Sequence, residues 1–141
     1  LKVAFYLGCL IDKIFPCIGA ETLNVLNQHQ VRVFMPKARG CCGIPAISTG
    51  DTETFNQLVR CNLNLFDSED FDYLVTSCAT CTSTIKKIWP MMLSDSRGDV
   101  KAKARRLSEK TLDINQFLGL ITGLKKSEAI KRGEAITHNI S

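Results

Sequence analysis

The alternation of strand-like and helix-like segments along the chain predicts an α/β fold. Three short apolar, β-branched segments, at residues 2–7, 31–34 and 72–76, are each followed by a segment with helical periodicity. Such alternation favours a mainly parallel sheet joined by right-handed crossovers. With 141 residues, 45% of them hydrophobic, the chain can bury a core of its own. We therefore predict a single domain in which helices flank a layered, Rossmann-like sheet.

The elements of the first two thirds of the chain are assigned from periodicity and helix-end signals. The predicted order is strand 2–7, loop 10–16, helix 17–30, strand 31–34, loop 35–50, a helix from Asp51 to about Phe66, strand 72–76 and helix 79–89. Pro16 suits the first turn of the helix that follows it, and Asp51 suits an N-cap. Pro90 is expected to bend or end the last of these helices.

The last third of the chain begins with a polar break at residues 94–98. A basic helix at 99–110 follows, and then a second helix at 112–121 that Gly123 is expected to end. The inward face of the second helix is expected to carry Ile114, Phe117, Leu118 and Ile121. Residues 134–138 predict a last strand. We interpret residues 94–141 as a helical extension of the domain.

The cysteines carry the strongest functional signal in the sequence. Five of the seven form three clusters, each just after a predicted strand or its trailing loop: Cys9, Cys41-Cys42-Gly43 and Cys78-x-x-Cys81. The carboxyl ends of parallel strands meet at one edge of a sheet, where open α/β folds place their ligands. We therefore expect these five thiols to lie together at that edge.

Clustered thiols indicate metal or redox chemistry. Soft thiolate ligands select Zn(II), Cu(I) or iron–sulfur clusters, and the helix that begins at Cys78 is expected to favour thiolates at Cys78 and Cys81. Five cysteines exceed the four ligands of a closed tetrahedral zinc site, which favours an iron–sulfur centre. Two alternatives remain open: a zinc-stabilised docking domain, and a thiol–disulfide protein that acts through Cys78 and Cys81.

Charge and hydropathy disfavour several other classes of protein. The net charge of +4 is mild, and the basic segments 101–106 and 125–132 lack the interleaved aromatic residues of single-strand nucleic-acid binders. No apolar stretch is long enough to span a membrane, and the first residues do not resemble a signal peptide. An odd number of cysteines, two of them adjacent, disfavours a secreted disulfide scaffold. We expect a cytoplasmic protein that binds no nucleic acid.

The other two cysteines and the two histidines are expected to take no part in the site. Cys17 and Cys61 lie in predicted helices beside apolar residues, so we predict that they are small packing residues. His29 is expected to be a solvated residue at a helix end. His138 lies near the end of the sequence.

The order of the cysteine clusters and the words around them resemble the cysteine-rich CCG domain. The matching words are Gly8-Cys9, Gly40-Cys41-Cys42-Gly43-Ile44-Pro45-Ala46, Ser48-Thr49-Gly50-Asp51 and Thr76-Ser77-Cys78-Ala79-Thr80-Cys81. This domain occurs in a cluster-binding subunit of heterodisulfide reductase, in the iron–sulfur subunits of glycolate oxidase and anaerobic glycerol-3-phosphate dehydrogenase, and in lactate-utilisation proteins. It is usually present as two tandem copies, and the resemblance implies that this chain is the first of them.

The resemblance implies an electron-transfer iron–sulfur module that is not catalytically complete alone. Its ligands would be the motif cysteines Cys9, Cys41, Cys42, Cys78 and Cys81. The implied cofactor is a [4Fe-4S] cluster, either non-cubane as in heterodisulfide reductase or of the ordinary kind, with zinc as the alternative. Since exposed clusters are lost or oxidised in air, aerobic handling is expected to empty the site.

The resemblance also implies partners. They are a second CCG domain of the same chain and a flavin-dependent dehydrogenase subunit or another redox subunit. The expected location is the cytoplasm, and partner subunits could place the protein at the inner face of the membrane. A homodimer of this chain is the further association left open.

Overall fold

Four short parallel strands form the centre of the molecule. The computed structural model describes residues 1–131 apart from Arg39 and Ser94, with side chains described as far as Gly123. The strands are β1 (Lys2–Tyr6), β2 (Arg32–Phe34), β3 (Tyr73–Thr76) and β4 (Thr111–Asp113), in the spatial order β2-β1-β3-β4. All three strand pairs are parallel. The predicted α/β fold with a layered parallel sheet is confirmed.

Helices surround this sheet. They are α1 (Cys9–Lys13), α2 (Pro16–Gln28), α3 (Ile44–Ser48), α4 (Thr52–Phe66), α5 (Ala79–Ser83), α6 (Trp89–Met92), α7 (Gly98–Lys110) and α8 (Ile114–Lys131), with a π-helical turn, Thr84–Ile88, between α5 and α6. Asp51 caps α4 as predicted, since its carboxylate accepts a hydrogen bond from the Thr54 backbone N–H at 3.0 Å. None of the helices in the described part of the chain combines the length and apolar character needed to cross a membrane.

The two faces of the sheet are covered by different helices. One face, which we call the site face because its buried cluster includes Cys42 and Cys81, has Ala4, Tyr6 and Leu74 packed beneath α4, the π-helical turn, α6 and α7. On the opposite face, Val3 and Val75 pack beneath α2 and α8. The connection from β1 to β2 runs in the opposite direction to those from β2 to β3 and from β3 to β4. Connections of one hand that run in opposite directions must lie on opposite faces, which is the arrangement found.

The strand order reverses between β1 and β3. From β1 the chain moves outward to β2 on one side and then returns past β1 to β3 on the other side. The loops beyond the carboxyl ends of β1 and β3 therefore diverge and leave a crevice between them, which is where open α/β sheets place ligands. Cys9 follows β1 and Cys78 follows β3, so two of the three cysteine clusters flank this crevice.

Three short elements of the structure differ from the elements predicted from the sequence. Residues 10–16 and 35–50 were predicted as loops, but α1 and α3 occupy parts of them. Each has five residues, too few to show a helical period, so tertiary contacts and not local propensity must stabilise them. Residues 111–113 were predicted partly as helix, and instead they form β4, which pairs with β3. Residues 98–121 thus contribute a strand and two helices to the layered unit.

Pro90 was expected to bend or end the helix, and it does not end it. The helical path continues to Met92, and Pro90 occupies the first turn of α6. The Trp89 backbone N–H donates to the carbonyl of Thr84, five residues back, which defines the π-helical turn. The carbonyl of Lys86, which a regular helix would pair with the missing N–H of Pro90, accepts instead from the Ser108 hydroxyl at 2.7 Å. The proline is tolerated because α7 supplies the lost donor.

The helix end predicted at Gly123 is wrong, because α8 continues to Lys131. A glycine inside a helix costs only about 1 kcal/mol, so it does not by itself end one. Phe117 and Ile121 of this helix are buried on the opposite face, and Ile114 and Leu118 are partly buried beside them. The strand predicted at 134–138 lies outside the described residues.

Candidate metal centre

The three cysteine clusters meet at the carboxyl edge of the sheet. Cys9 is the first residue of α1, directly after β1, and the loop that follows β2 delivers Cys41. Their sulfur atoms lie 3.3 Å apart although 32 positions separate them in the sequence. Cys9 is exposed and Cys41 is half-buried. The solvent side of the site is therefore made of these two thiols.

Cys78 is held by the end of β3. The buried Thr76 hydroxyl accepts from the Cys78 backbone N–H at 2.9 Å and donates to the Cys78 carbonyl at 3.0 Å. The Thr82 hydroxyl donates to the same carbonyl at 3.0 Å. Threonine hydroxyls often close such local turns, and here two of them fix the backbone of Cys78 as it enters α5.

Cys42 is the centre of the thiol contacts. It is 3% exposed, and its sulfur accepts hydrogen bonds from the Cys81 thiol, the Ile44 backbone N–H and the Cys41 thiol. These donors, the Cys81 thiol foremost, lower the pKa of Cys42 to about 6, against the burial that raises it. Hydrogen bonds to the charged form stabilise a thiolate in this way. The hydrogen bonds thus lower the pKa of Cys42 and favour its thiolate.

The thiols that donate to Cys42 are protonated at neutral pH. Burial raises the pKa of Cys41 to about 11, and contacts with Cys9 and Cys42 add to this effect. The hydrogen bond to Cys42 is the largest cause of a raised pKa at Cys81, followed by burial. Tyr6 lies beneath the same thiols, and its pKa is raised mainly because the phenol is buried. The Cys42 thiolate is thus surrounded by neutral donors.

The sequence predicted thiolates at Cys78 and Cys81 from the helix N-terminus, and for Cys81 this is wrong in the metal-free chain. Cys81 is 5% exposed and acts as a hydrogen-bond donor to Cys42 and a neighbour of Cys78. Helix α5 has five residues, so its dipole is small beside these direct contacts. The thiol whose pKa is lowered is instead Cys42, in the Cys41-Cys42-Gly43 turn.

Two glycines allow the backbone to approach the thiols closely. Gly8 has φ 73°, and a β-carbon there would lie 3.1 Å from the Cys81 sulfur. Gly43 has φ 95°, and a β-carbon there would lie 2.6 Å from the Phe55 ring. Both positions combine a left-handed backbone with limited space, which only glycine accommodates without strain. These glycines let the loop after β1 and the Cys41-Cys42 turn close over the site.

Two buried side chains that the sequence analysis did not assign to the site hold the Cys41-Cys42 turn. Asn62 of α4 donates through Nδ2 to the carbonyl of Cys41, and Trp89 of α6 donates through Nε1 to the carbonyl of Cys42, both at 2.9 Å. The sequence did contain one signal: Asn62 interrupts an apolar helix face, and a buried amide requires a partner. Trp89 offered no such signal, because a tryptophan that follows a helix predicts packing.

The other candidate residues lie outside this group. Cys17 and Cys61 are exposed on α2 and α4, so the prediction that they are packing residues is wrong. His29 caps α2 and is partly exposed. His138 lies beyond the described residues. Among the residues that the structure describes, no group of three or more His, Cys, Asp or Glu side chains stands ready to hold a metal ion. The thiols instead form a series of contacts from Cys9 through Cys41, Cys42 and Cys81 to Cys78.

Comparison with known proteins places this motif in a family. The family model for the CCG cysteine-rich domain matches residues 3–86, a range that runs from within β1 into the π-helical turn and contains all five clustered cysteines. An uncharacterized iron–sulfur protein of Methanocaldococcus jannaschii is 44% identical over 86 residues, which cover 61% of this chain and 18% of the relative. No solved structure matches the chain significantly.

Two further relatives align with nearly the whole chain. A subunit of the CoM/CoB fumarate reductase of Methanothermobacter marburgensis is 37% identical, with 94% of this chain and 32% of the relative aligned. Lactate utilization protein A of Geobacillus kaustophilus is 29% identical over 138 residues, with 98% and 56% aligned. The chain therefore spans between about a fifth and about half of the length of these relatives. By the match to its cysteine motif and by these relatives, the chain belongs to the CCG cysteine-rich domain family.

Proposed function

We propose that Cys9, Cys41, Cys42, Cys78 and Cys81 bind an iron–sulfur cluster and that the chain is an electron-transfer module of an oxidoreductase complex. The observation that carries the proposal is the continuous series of thiol contacts from Cys9 through Cys41, Cys42 and Cys81 to Cys78. Iron–sulfur clusters are held by cysteine thiolates. Five thiols at one sheet edge fit that donor set, and two of the relatives are named as an iron–sulfur protein and a fumarate reductase subunit.

The five thiols differ in their exposure to solvent, and this difference suggests how such a site would work. A bound cluster would supply one-electron transfer. Cys42 and Cys81 would hold it from the protein interior, where the Ile44 N–H bonds to the Cys42 sulfur. Hydrogen bonds to ligand sulfurs and solvent exposure tune cluster potentials. Cys9 is exposed, so a redox partner would approach from its side.

The finer form of the proposal names the cluster and the partners. We propose a [4Fe-4S] cluster, cubane or non-cubane, because five thiols suit a multinuclear centre better than a single ion. The proposed electron donor is a flavin-dependent dehydrogenase subunit, as in lactate- or glycolate-oxidising complexes. A second CCG domain in the parent protein, reached through the helices after residue 94, belongs to the same proposal, as does a cytoplasmic location.

Anaerobic reconstitution tests the proposal. The reduced chain is incubated with ferrous iron and sulfide, and bound iron, bound sulfide and visible absorbance are measured. We expect nearly equal iron and sulfide, a thiolate-to-iron charge-transfer absorbance that dithionite bleaches, and loss of both in Cys42→Ser. Cys17→Ser is the matched control, because Cys17 is exposed on α2 and should leave uptake unchanged. A colourless chain that retains only zinc after anaerobic purification would contradict the proposal.

Cys9→Ser separates the cluster from the zinc alternative. A zinc-stabilised domain would use Cys41, Cys42, Cys78 and Cys81, so zinc affinity would be unchanged in this variant. A cluster that uses all five thiols would lose iron or change its electron paramagnetic resonance spectrum. The thiol–disulfide alternative, through Cys78 and Cys81, predicts instead a titratable low-pKa thiol and activity without metal.

A further inference from the structure

Two consecutive carbonyl groups of the site are each bound by a buried side chain from a different helix. Asn62 Nδ2 lies 2.9 Å from the Cys41 oxygen, and Trp89 Nε1 lies 2.9 Å from the Cys42 oxygen. Asn62 is 1% exposed and Trp89 is fully buried. We call Asn62 and Trp89 the carbonyl clamp. It joins the Cys41-Cys42 turn to α4 and α6, 21 and 47 positions further along the chain.

Both members of the carbonyl clamp are themselves held in place. The second Nδ2 hydrogen of Asn62 is donated to the Leu58 carbonyl of its own helix at 2.9 Å. The indole of Trp89 packs edge-on against Tyr6, with ring centroids 6.4 Å apart at an interplanar angle of 82°. Because neither side chain can turn freely, the two donors define where the carbonyls must lie.

The backbone around Trp89 departs from a regular helix at the point that faces the site. Trp89 directly follows the π-helical turn, Thr84–Ile88. Single π-helical turns are rare and occur frequently at functional sites. The extra residue of the turn changes the direction in which Trp89 leaves the helix, and the Trp89 indole N–H reaches the Cys42 carbonyl.

Fixing two successive carbonyls also fixes the thiols. Peptide units are planar, so holding the oxygens of Cys41 and Cys42 orients the amide groups of Cys42 and Gly43 as well. The Gly43 N–H donates to the Cys41 sulfur, and the Ile44 N–H donates to the Cys42 sulfur. The carbonyl clamp therefore holds the carbonyl groups of the Cys41-Cys42 turn on the protein interior. The same turn carries the Cys41 and Cys42 sulfurs and the N–H groups of Gly43 and Ile44 that bond to them.

We propose that Asn62 and Trp89 are positioning residues that preorganise Cys41 and Cys42 for metal binding. This inference rests on the proposed function, since it assigns a purpose to the clamp only if the thiols bind a metal centre. Residues that orient metal ligands from outside the coordination sphere typically contribute roughly 10–100-fold to metal affinity.

The test uses variants that remove the donors and place an apolar side chain at each position. Trp89→Phe removes the indole N–H, and Asn62→Leu removes the amide. Thr22→Val is the matched control, because it removes a buried hydroxyl that donates to the Ile18 carbonyl in α2, on the opposite face. Gly40→Ala is an independent probe that retains both donors, since its β-carbon would lie 2.5 Å from Asn62 Oδ1 and displace that side chain. It keeps the test decisive where a donor variant fails to fold.

The first measurement is hydrogen–deuterium exchange in the metal-free, reduced chain. Loss of one hydrogen bond should speed exchange of the amides at residues 41–44 roughly twofold to tenfold in Trp89→Phe, Asn62→Leu and Gly40→Ala. Thr22→Val should leave these amides unchanged. Exchange that is equally slow in all folded variants would overturn the clamp, whether or not the chain binds metal.

The second measurement is anaerobic titration with Co(II) alone, followed by its thiolate charge-transfer absorbance. We expect roughly 10–100-fold weaker binding in the donor variants than in the wild type and Thr22→Val. Faster exchange at residues 41–44 together with unchanged Co(II) affinity would overturn the positioning role. A wild-type chain that takes up neither Co(II) nor iron and sulfide would instead contradict the proposed function, and the exchange result would still decide whether the clamp orders the turn.

Discussion

The site face and the opposite face of the sheet are stabilised by different kinds of contact. The buried cluster on the opposite face is entirely apolar and consists of Val3, Leu26, Val31, Val75, Phe117 and Ile121. On the site face, Tyr6 and Trp89 are part of the core and also donate hydrogen bonds to Gly40 and Cys42. Among the described residues, the opposite face is joined chiefly by apolar packing, whereas the site face combines packing with directed polar contacts to the cysteine turn.

This difference separates stability from site geometry. Apolar packing is non-directional and stabilises the sheet in proportion to the area buried. Hydrogen bonds from buried donors are directional, and a donor left without its acceptor costs about 1–3 kcal/mol. The opposite face should therefore determine how stable the chain is, while the site face should determine how accurately the thiols are placed. Substitutions on the two faces can test this division.

Phe117→Ala should give the largest loss of stability without a defect in the site. Phe117 is fully buried against Tyr73, with ring centroids 5.9 Å apart. Truncation of a buried phenylalanine typically costs about 3–5 kcal/mol. Urea unfolding of the metal-free, reduced chain measures the change, and Leu118→Ala, at a partly buried neighbour, should cost less.

The same variant sharpens the comparison of the faces. Iron bound per folded molecule after reconstitution should equal that of the wild type, because Phe117 packs in the cluster on the face away from the cysteines. An altered cluster spectrum in folded Phe117→Ala would show that the two faces are coupled and that the division is wrong.

The sequence predicted the gathering of the cysteines better than the contacts that hold them. Cys9 and Cys78 directly follow strands with clear apolar periodicity, and parallel strands end at one edge, so their location follows from local pattern and topology. The bonds from Asn62 and Trp89 span 21 and 47 positions. No local pattern encodes such separations, and only a polar residue on an apolar helix face indicated one of them.

The elements that were missed are those that depend on tertiary contacts. Strand β4 has three residues between two helices, too short for an alternating pattern, and it exists because β3 offers it an edge. Pro90 was expected to bend or end a helix because its missing N–H is a local property. The Ser108 hydroxyl that satisfies the Lys86 carbonyl comes from α7 and cannot be inferred locally.

Two glycines of similar backbone geometry provide the second test. Gly43, in the cysteine turn, and Gly50, before α4, have φ values of 95° and 82°. Alanine at either position should cost about 1–2 kcal/mol of backbone strain. At Gly43 the β-carbon would also meet the Phe55 ring, which should add about 1–3 kcal/mol, whereas no atom lies within 4 Å at Gly50.

The two alanine variants should also differ in metal binding. Gly43→Ala should reduce iron and sulfide uptake, because the turn must shift away from Phe55 and carry both thiols with it. Gly50→Ala should bind the wild-type amount. Equal uptake by the two variants, measured on folded protein, would mean that the turn does not need its observed geometry to hold a cluster.

The smallest expected effect concerns an ion pair on the surface of the site face. Asp67, at the end of α4, pairs with Lys103 of α7 at 2.9 Å, and Arg106 lies 3.7 Å away. The hydrogen bond and charge of Lys103 lower the pKa of the Asp67 carboxyl. A lowered carboxyl pKa stabilises the fold above the pKa of the unfolded state, and this contribution is lost as the pH falls through the lower, folded value. Since the Asp67 carboxylate is more than a third exposed, the pair should contribute only about 0.2–1 kcal/mol at pH 7.

Urea unfolding of Asp67→Asn should show this deficit at pH 7. The deficit should be smaller in high salt and absent once the wild-type carboxyl is protonated, and iron uptake should be unchanged. A deficit that persisted in strong acid would show that it does not arise from the charge of Asp67.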